Sequence, residues 1–324
     1  MFMGEAKVDV SIIIVSWNTC DILRDCLQSV FEQTRDIGFE VIVVDNASSD
    51  GSVEMVRTEF SEVILLANQE NRGFAAANNQ AMRRAHGRYV LLLNPDTVVL
   101  NGAIQNTTTY AEQNAQAGVF GCRVRWPNGR RQNTCFRFPT LALVAIGSML
   151  FFRMARPFHV PFFHPERYLN LDFNQAHDVD VVAGCFLLIR RKVIDQVGMF
   201  DEDFFMYGEE AELCFRVRQA GWHVRYYPGS EIIHLHGASS SQVEEDSKIN
   251  KRKAIIMFLH KTQGPLRAWL GNVIMALGLL LRIPCWVAID IKHVITGGTA
   301  LSAWRNRMHV MAFHCRSIFL PAWK

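Results

Sequence analysis

The sequence predicts an α/β fold, a doubly wound and mostly parallel sheet followed by a helical C-terminal extension, and three observations lead there. Short β-branched apolar runs alternate with segments of helical apolar spacing through the first hundred residues or so. The turns that follow those runs are rich in Asp and Asn. Charge is also unevenly spread: of 34 Lys and Arg and 31 Asp and Glu, 12 bases and one acid lie from Lys248 onward, leaving 22 and 30 before it. The net charge of +3 therefore divides into −8 and +11, which marks two parts with different surroundings, the second facing something anionic.

Val10 to Val15 (V-S-I-I-I-V) fits a strand buried on both faces, since it lacks polar alternation. Across Asp21 to Gln33, apolar Ile22, Leu23, Cys26, Leu27, Val30 and Phe31 recur at helical spacing. Phe39 to Val44 repeats the buried-strand pattern, and the turn and cap residues Asp45 to Gly51 launch a helix reaching Phe60. Val63 to Leu66 reads as a third strand, Phe74 to Ala85 as a helix and Tyr89 to Leu93 as a fourth strand. Strand and helix alternating at this pitch give a doubly wound sheet with right-handed crossovers. Val179 to Arg190 is strand-like around Gly184. Glu209, Glu210 and Glu212 then open a helix with Leu213, Cys214, Val217 and Ala220 on its apolar face and Gly221 at its end.

In such sheets ligands bind beyond the carboxyl ends of the strands. That rule selects Ser16-Trp17-Asn18, Asp45-Asn46, Asn68 to Gly73 and Asn94-Pro95-Asp96, all expected on one rim. Neither a G-x-G-x-x-G nor a G-x-x-x-x-G-K-[ST] stands at these turns, which excludes a dinucleotide fingerprint and a P-loop. Asp96, directly after a buried strand, is placed to hold a metal ion against phosphates. Asp45 and Asp50 also suit ordinary caps, and Asp96 also suits a turn. For Glu209 and Glu212 capping of the helix is the simpler reading, while Glu210 sits where a cleft would tune a general base.

A composition of 49% hydrophobic and 20% charged residues supplies a full core and excludes disordered and collagen-like classes. The eight cysteines form no C-x-x-C pair, so reduced thiols in a cytosolic compartment are expected rather than a zinc site or disulfide framework. Met1 to Asp9 shows no secretory pattern.

The series S-I-I-I-V-S-W-N, V-I-V-V-D-N-A-S-S-D-G-S, N-Q-E-N-R-G-F-A-A-A-N-N, Y-V-L-L-L-N-P-D-T, A-G-C-F-L-L-I-R-R, V-G-M-F-D-E-D-F-F-M-Y-G-E-E and I-I-H-L-H-G-A-S-S resembles the inverting family 2 glycosyltransferases of GT-A fold. The subgroup it is most similar to is the rhamnosyltransferase-like enzymes of bacterial surface polysaccharide synthesis, over about Val10 to Ser240. The resemblance implies a nucleotide-sugar-binding half over 1–118 and an acceptor and catalytic half over 119–240, and the charge and apolar pattern beyond them give a membrane-associating tail over 241–324. It implies that Asp45 contacts the donor's nucleoside, that Asn71 and Gly73 lie beside the nucleotide, and that Asn94-Pro95-Asp96 stands at the D-x-D position with Asp96 as ligand to Mg²⁺ or Mn²⁺. Trp17 is placed with the donor pocket. Glu210 stands where the family carries an Asp general base, one methylene longer, which shifts the carboxylate by about 1 Å, a misplacement large enough to matter for rate. His234 matches a third metal ligand or diphosphate contact, with His236 as the competing candidate, and Ser239 and Ser240 as hydrogen-bonding partners of phosphate.

The implied reaction moves a sugar from a nucleotide-diphosphate donor, dTDP-rhamnose by subgroup resemblance, to a hydroxyl of a lipid-linked saccharide at the cytoplasmic face of the inner membrane. A sugar-1-phosphate nucleotidyltransferase and a catalytically silent assembly scaffold are the competing readings. In the tail, Trp269 to Ile289 is interrupted by Asn272, Arg282 and Pro284, and only Val273 to Leu281 runs clean. That falls short of the ~20 residues a spanning helix needs. With Trp269, Trp286, Trp304 and Trp323 among the bases, the expected partner is an anionic membrane surface rather than nucleic acid. Leu141 to Phe163, with five Phe and no acid, reads equally as a surface for lipid or a lipid-linked acceptor and as a buried helix and loop.

Overall fold

The computed structural model describes residues 8–148, 168, 171–235, 244–283 and, near the end, 312, 313, 315, 316 and 318. His236, Ser239, Ser240, Trp286, Trp304, Trp323 and most of 141–163 lie outside the described residues. Two compact units form, one from Met1–Phe136 with Asn170–Val243, the other from Arg137–Leu169 with Glu244–Lys324.

In chain order the elements are β1 (Val10–Ser16), α1 (Cys20–Gln33), β2 (Phe39–Asp45), α2 (Ser52–Glu59), β3 (Ile64–Ala67), α3 (Phe74–Met82), β4 (Tyr89–Leu93), β5 (Thr97–Leu100), α4 (Ala103–Gln113), β6 (Ala117–Arg125) and β7 (Cys135–Phe136). They continue with α5 (Leu141–Ser148), β8 (His177–Asp178), β9 (Val181–Val182), β10 (Phe186–Arg190), α6 (Arg191–Val197), α7 (Glu209–Gln219), β11 (His223–His234), α8 (Glu244–Gln263) and α9 (Pro265–Leu280).

The first unit is built on a nine-stranded sheet of order β3-β2-β1-β4-β10-β6-β11-β5, with β8 alongside β11. Strands β3, β2, β1 and β4 run parallel, β10 runs against both β4 and β6, and β11 is parallel to β6. The interior residues of β1, Ile12, Ile13 and Ile14, are all fully buried, and Val41 to Val44 of β2 nearly so, as a strand covered on both faces requires. Helix α1 closes one face through Leu23, Cys26, Leu27 and Val30; each fully buried aliphatic side chain of this kind stabilises the fold by about 1.5–3 kcal/mol.

The expected continuous strand over Val179 to Arg190 is instead two elements. Residues Val181–Val182 pair with β7 in a separate two-stranded sheet, and Phe186–Arg190 enters the main sheet antiparallel. Ala183-Gly184-Cys185 makes the break, and the five fully sheathed residues of β10 fill the seam between β4 and β6.

At the end of β10 the buried Arg190 is satisfied by uncharged groups. Its Nε donates to Ala117 O at 2.8 Å, Nη1 to Tyr89 Oη at 2.6 Å, and Nη2 to Asn114 O at 3.1 Å and to Ala111 O. Two of these carbonyls belong to the last turn and cap of α4, where a cation complements the helix dipole. Arg191 does the same for α3, donating to Ala85 O at 2.8 Å and Met82 O at 3.3 Å. Both arginines thereby brace the end of the sheet opposite the carboxyl rim.

In the second unit α5, α8 and α9 pack around Val144, Ile256, Leu259, Ala268 and Met275. Arg282 donates to Ser148 O at 2.8 Å, again a cation on the end of a helix. No helix among the described residues is long and apolar enough to cross a membrane.

Candidate active site

The four polar strand ends selected from the sequence meet at one rim. Asp45 ends β2 opposite Ser16 of β1. Asn46 N donates to Ser16 O at 2.9 Å, Asn68 N to Asp45 O at 2.9 Å, Asn68 Nδ2 to Asn46 Oδ1 at 3.0 Å, and Asn46 Nδ2 to Gly73 O at 3.2 Å. Asn18, held at positive φ, receives Ser49 N on its Oδ1 at 2.8 Å and donates its own N–H to Ser48 Oγ at 2.9 Å. Half-buried Trp17 stands between these fastened turns. Asp50 is occupied by Cys20 N at 2.8 Å and Ser52 N at 3.1 Å, a cap on the start of α1 and on its own turn.

Asp45 differs from Asp50. It is 2% exposed, its Oδ1 accepts Ser48 N at 2.9 Å, and its Oδ2 is buried without a hydrogen-bond partner. A carboxylate oxygen left in that state costs about 1–3 kcal/mol or more, so it calls for a ligand N–H or O–H.

The segment from Asn71 to Asn79 joins this ledge to the far side of the site. Asn71 Oδ1 accepts Gly73 N at 3.0 Å, which folds the turn. Gly73, at φ +80°, lies so close to the 200–208 loop that an added Cβ would stand 2.5 Å from Phe205 O, and Phe74 N donates to that same oxygen at 2.7 Å. Buried Asn79 clamps the loop's start, donating to Phe200 O at 2.8 Å and Glu202 Oε1 at 2.9 Å while accepting Phe200 N at 3.0 Å. This fastening sets where α7 begins.

The first turn of α7 holds two adjacent carboxyls with unequal surroundings. Glu209 is 4% exposed with its Oε2 partnerless, while half-buried Glu210 accepts Gly208 N at 3.2 Å on Oε2. Burial, then the neighbouring carboxylate, pushes Glu209 well above the usual carboxyl range. Burial also raises Glu210, opposed by backbone N–H bonds and by a hydrogen bond from Glu209. Glu209 and Glu212 stand in the first turn of α7, as expected of acids that favour the helix dipole, and the turn is buried as well. Glu212 also binds Arg216 through both oxygens at 2.7 Å, and Arg216 donates to Val197 O at the end of α6 and to Met199 O at 2.7 Å just beyond it.

On the other flank, the β4–β5 loop meets the end of β11. Leu235 N donates to Asp96 O at 2.9 Å, and the buried side chains of Asp96 (5% exposed) and His234 (7%) approach to 3.2 Å between Oδ1 and Nε2. Asn94 Nδ2 lies 3.4 Å from the same Nε2. Burial alone would depress the imidazole's pKa, but the Asp96 carboxylate and the nearby Cys185 thiol drive it up to about 10. An imidazole and a carboxylate converging this way are a donor set suited to Mg²⁺ or Mn²⁺ when substrate phosphates complete the shell, with the cation taking the place of the Nε2 proton that otherwise faces Asp96. Among the described residues no group of three or more His, Cys, Asp or Glu is placed to hold a metal ion.

Two residues of this site were not singled out from the sequence. Asn79 is the second Asn of A-A-A-N-N, a polar residue on the buried side of an alanine-rich helix. Gln132, 3.1 Å from His234 Nδ1 through its Oε1, follows the P-N-G turn after β6.

Four parallel strands that lead to a polar rim, followed by an antiparallel strand and a returning parallel pair, define the GT-A class of glycosyltransferases. The chain aligns on the mannosyltransferase PcManGT from Pyrobaculum calidifontis, solved with GDP-Man and Mn²⁺, at a TM-score of 0.57 and 16% identity, over 97% of this chain and 87% of that one.

Within that class, residues 11–198 match the family described as Glycosyl transferase family 2, and the chain belongs to it. It is 27% identical over 232 residues to the N-acetylglucosaminyl-diphospho-decaprenol L-rhamnosyltransferase of Mycobacterium tuberculosis, covering 68% of this chain and 74% of that protein. It is 28% identical over 233 residues to the O-antigen biosynthesis protein RfbC of Myxococcus xanthus, which covers 71% of this chain but only 17% of RfbC.

Proposed function

We propose that the chain is an inverting glycosyltransferase that moves a sugar from a nucleotide-diphosphate donor to a hydroxyl of a lipid-linked saccharide in surface polysaccharide synthesis. The observation that carries this reading is the approach of Asp96 and His234 at the strand-end rim, 3.2 Å apart and nearly sealed from solvent. The L-rhamnosyltransferase relative supports rhamnose as the sugar and a polyprenyl-diphosphate saccharide as the acceptor, and dTDP-rhamnose is the donor that the family resemblance implies.

On this reading Asp45 Oδ2 accepts a hydrogen bond from the nucleoside, Trp17 walls the donor pocket, and Asn71 and Gly73 shape the turn beside the nucleotide. Asn94 lies with Asp96 on the diphosphate side. A Mg²⁺ or Mn²⁺ ion held by Asp96 and His234 would supply positive charge to the departing diphosphate. Glu210 Oε takes the proton of the acceptor hydroxyl as that oxygen attacks the anomeric carbon. The new glycosidic bond forms as the bond to the diphosphate oxygen breaks on the opposite face, so the configuration inverts. Glu209, which burial pushes well above the usual carboxyl range, is hydrogen-bonded to Glu210 and favours the carboxylate form of Glu210 that the step needs.

The tail supports a peripheral seat on the anionic cytoplasmic face of the inner membrane. In α9, Leu266, Trp269, Leu277 and Leu280, with Leu281 beyond its end, are exposed along one stripe, while Ala268, Asn272, Met275 and Leu279 are buried on the other side. A helix with an apolar outer stripe, within a segment of strong positive charge, suits the interface plane of a bilayer.

A thermal-shift series with nucleotide sugars and Mn²⁺ tests the donor site. A bound donor at 100 times its dissociation constant stabilises the fold by about 2.7 kcal/mol, so dTDP-rhamnose with Mn²⁺ is expected to raise Tm by several degrees. No shift with any nucleotide diphosphate in the presence of metal would reject the reading.

A further inference from the structure

The hairpin after β6 carries a side chain that is wholly engaged with the last residue of β11 and its neighbour. β6 ends at Arg125, opposite Ile233 of β11. The chain turns at Trp126 to Gly129, with Gly129 at φ +79° and its N–H donated to Trp126 O at 2.9 Å. It returns so that Gln132 N donates to Val124 O at 2.8 Å. This seats the buried Gln132 side chain against His234.

The orientation of the Gln132 amide follows from its surroundings. Two of its neighbours are backbone carbonyls, His234 O at 2.5 Å and Arg125 O at 3.4 Å, and carbonyls only accept. The NH₂ group must face them, which turns Oε1 toward His234 Nδ1, 3.1 Å away. An amide oxygen accepts too, so Nδ1 carries a proton. Nε2 is then the nitrogen that faces Asp96 and the ligand side of the rim. A histidine that ligates a metal ion depends on this kind of partner at its other nitrogen to fix ring plane and tautomer.

We propose that Gln132 is the positioning residue of the donor site: it pins the His234 ring so that Nε2, together with Asp96, is presented to the divalent cation and diphosphate of a sugar nucleotide. The inference rests on the reading of Asp96 and His234 as the cation-binding pair, and extends it to a residue that touches neither cation nor sugar.

The test uses the full chain with Mn²⁺ and dTDP, following free Mn²⁺ by electron paramagnetic resonance. Gln132→Met, similar in length but unable to hydrogen-bond, is expected to weaken Mn²⁺ binding about 10–100-fold. The same substitution in a His234→Ala background is expected to cost nothing further, because the effect runs through the ring. Unchanged Mn²⁺ affinity in Gln132→Met, or an equal loss in the His234→Ala background, overturns the proposal. A parent chain that binds no Mn²⁺ with dTDP rejects the cation reading instead. The pinning itself is then read without metal: with ¹⁵N-labelled histidine, the parent is expected to show a slowly exchanging Nδ1–H signal for His234, identified by its absence in His234→Ala. Lack of that signal in the parent, which requires no folded Gln132 variant, also overturns the proposal.

Discussion

Glu209 and Glu210 show how adjacent identical side chains acquire different chemistry from burial and from the hydrogen bonds around them. In the proposed role of base Glu210 must be deprotonated, and its pKa is raised by burial above the ordinary 4.5. The acidic limb of the kcat/KM profile is therefore expected above pH 4.5, with activity falling as pH drops through it. Glu210→Gln should cut kcat by about 10²–10⁴-fold while leaving the dissociation constant for dTDP, measured calorimetrically, unchanged; retained turnover removes Glu210 from the base role. Glu209 has the opposite linkage to stability. Its folded pKa lies well above 4.5, so between those two values the native state holds a proton that the unfolded chain has lost, and stability declines as pH rises through that window. Glu209→Gln, neutral at every pH, should raise Tm more at pH 8 than at pH 4, and an equal shift at both would show that Glu209 is not held protonated. Asp45→Ala should weaken dTDP binding by roughly 10–100-fold, the worth of a hydrogen bond of about 1.5–3 kcal/mol to a charged group.

Among the elements, the first four strands and first three helices were legible because each carries its own pattern: β1 and α1 begin and end within a residue or so of where β-branched runs and helical spacing place them. The Asp and Asn residues at the strand ends were legible for the same reason, since a parallel sheet sends all its carboxyl ends to one rim. What the pattern did not show were contacts between distant segments. The break at Gly184 and the reversal of β10 depend on pairing with β7, β4 and β6, and Gln132 reaches His234 across 102 positions. Composition shows the acids at the start of α7 but not that Glu209 there is buried. The seam between α3 and the 200–208 loop gives an element-scale check. Gly73→Ala places a methyl against Phe205 O at positive φ, and Asn79→Ala strands Phe200 N–H and O, each expected to cost about 1–3 kcal/mol. Urea midpoints measure this; no change in either variant would mean the loop is not fastened there.

At the scale of the whole molecule, the balance of +3 is the sum of an acidic sheet domain and a basic tail of +11. The acids of the first part include the rim carboxylates Asp45, Asp96, Glu209 and Glu210; the second part carries the outward apolar stripe of α9. Replacing Leu277 and Leu280 with Glu should abolish flotation with vesicles containing phosphatidylglycerol while leaving Mn²⁺-dependent dTDP binding intact, and undiminished flotation would detach the stripe from the membrane. The central claim is that this family 2 glycosyltransferase chain moves a sugar onto a lipid-linked saccharide by a single inverting displacement. It is tested most directly by incubating the protein with dTDP-β-L-rhamnose, Mn²⁺ and N-acetylglucosaminyl-diphospho-polyprenol and determining the product by mass spectrometry and the anomeric ¹J(C–H) coupling. The account predicts a product heavier by one deoxyhexose with α configuration, absent in Glu210→Gln; a β-linked product, or equal product from Glu210→Gln, would contradict it.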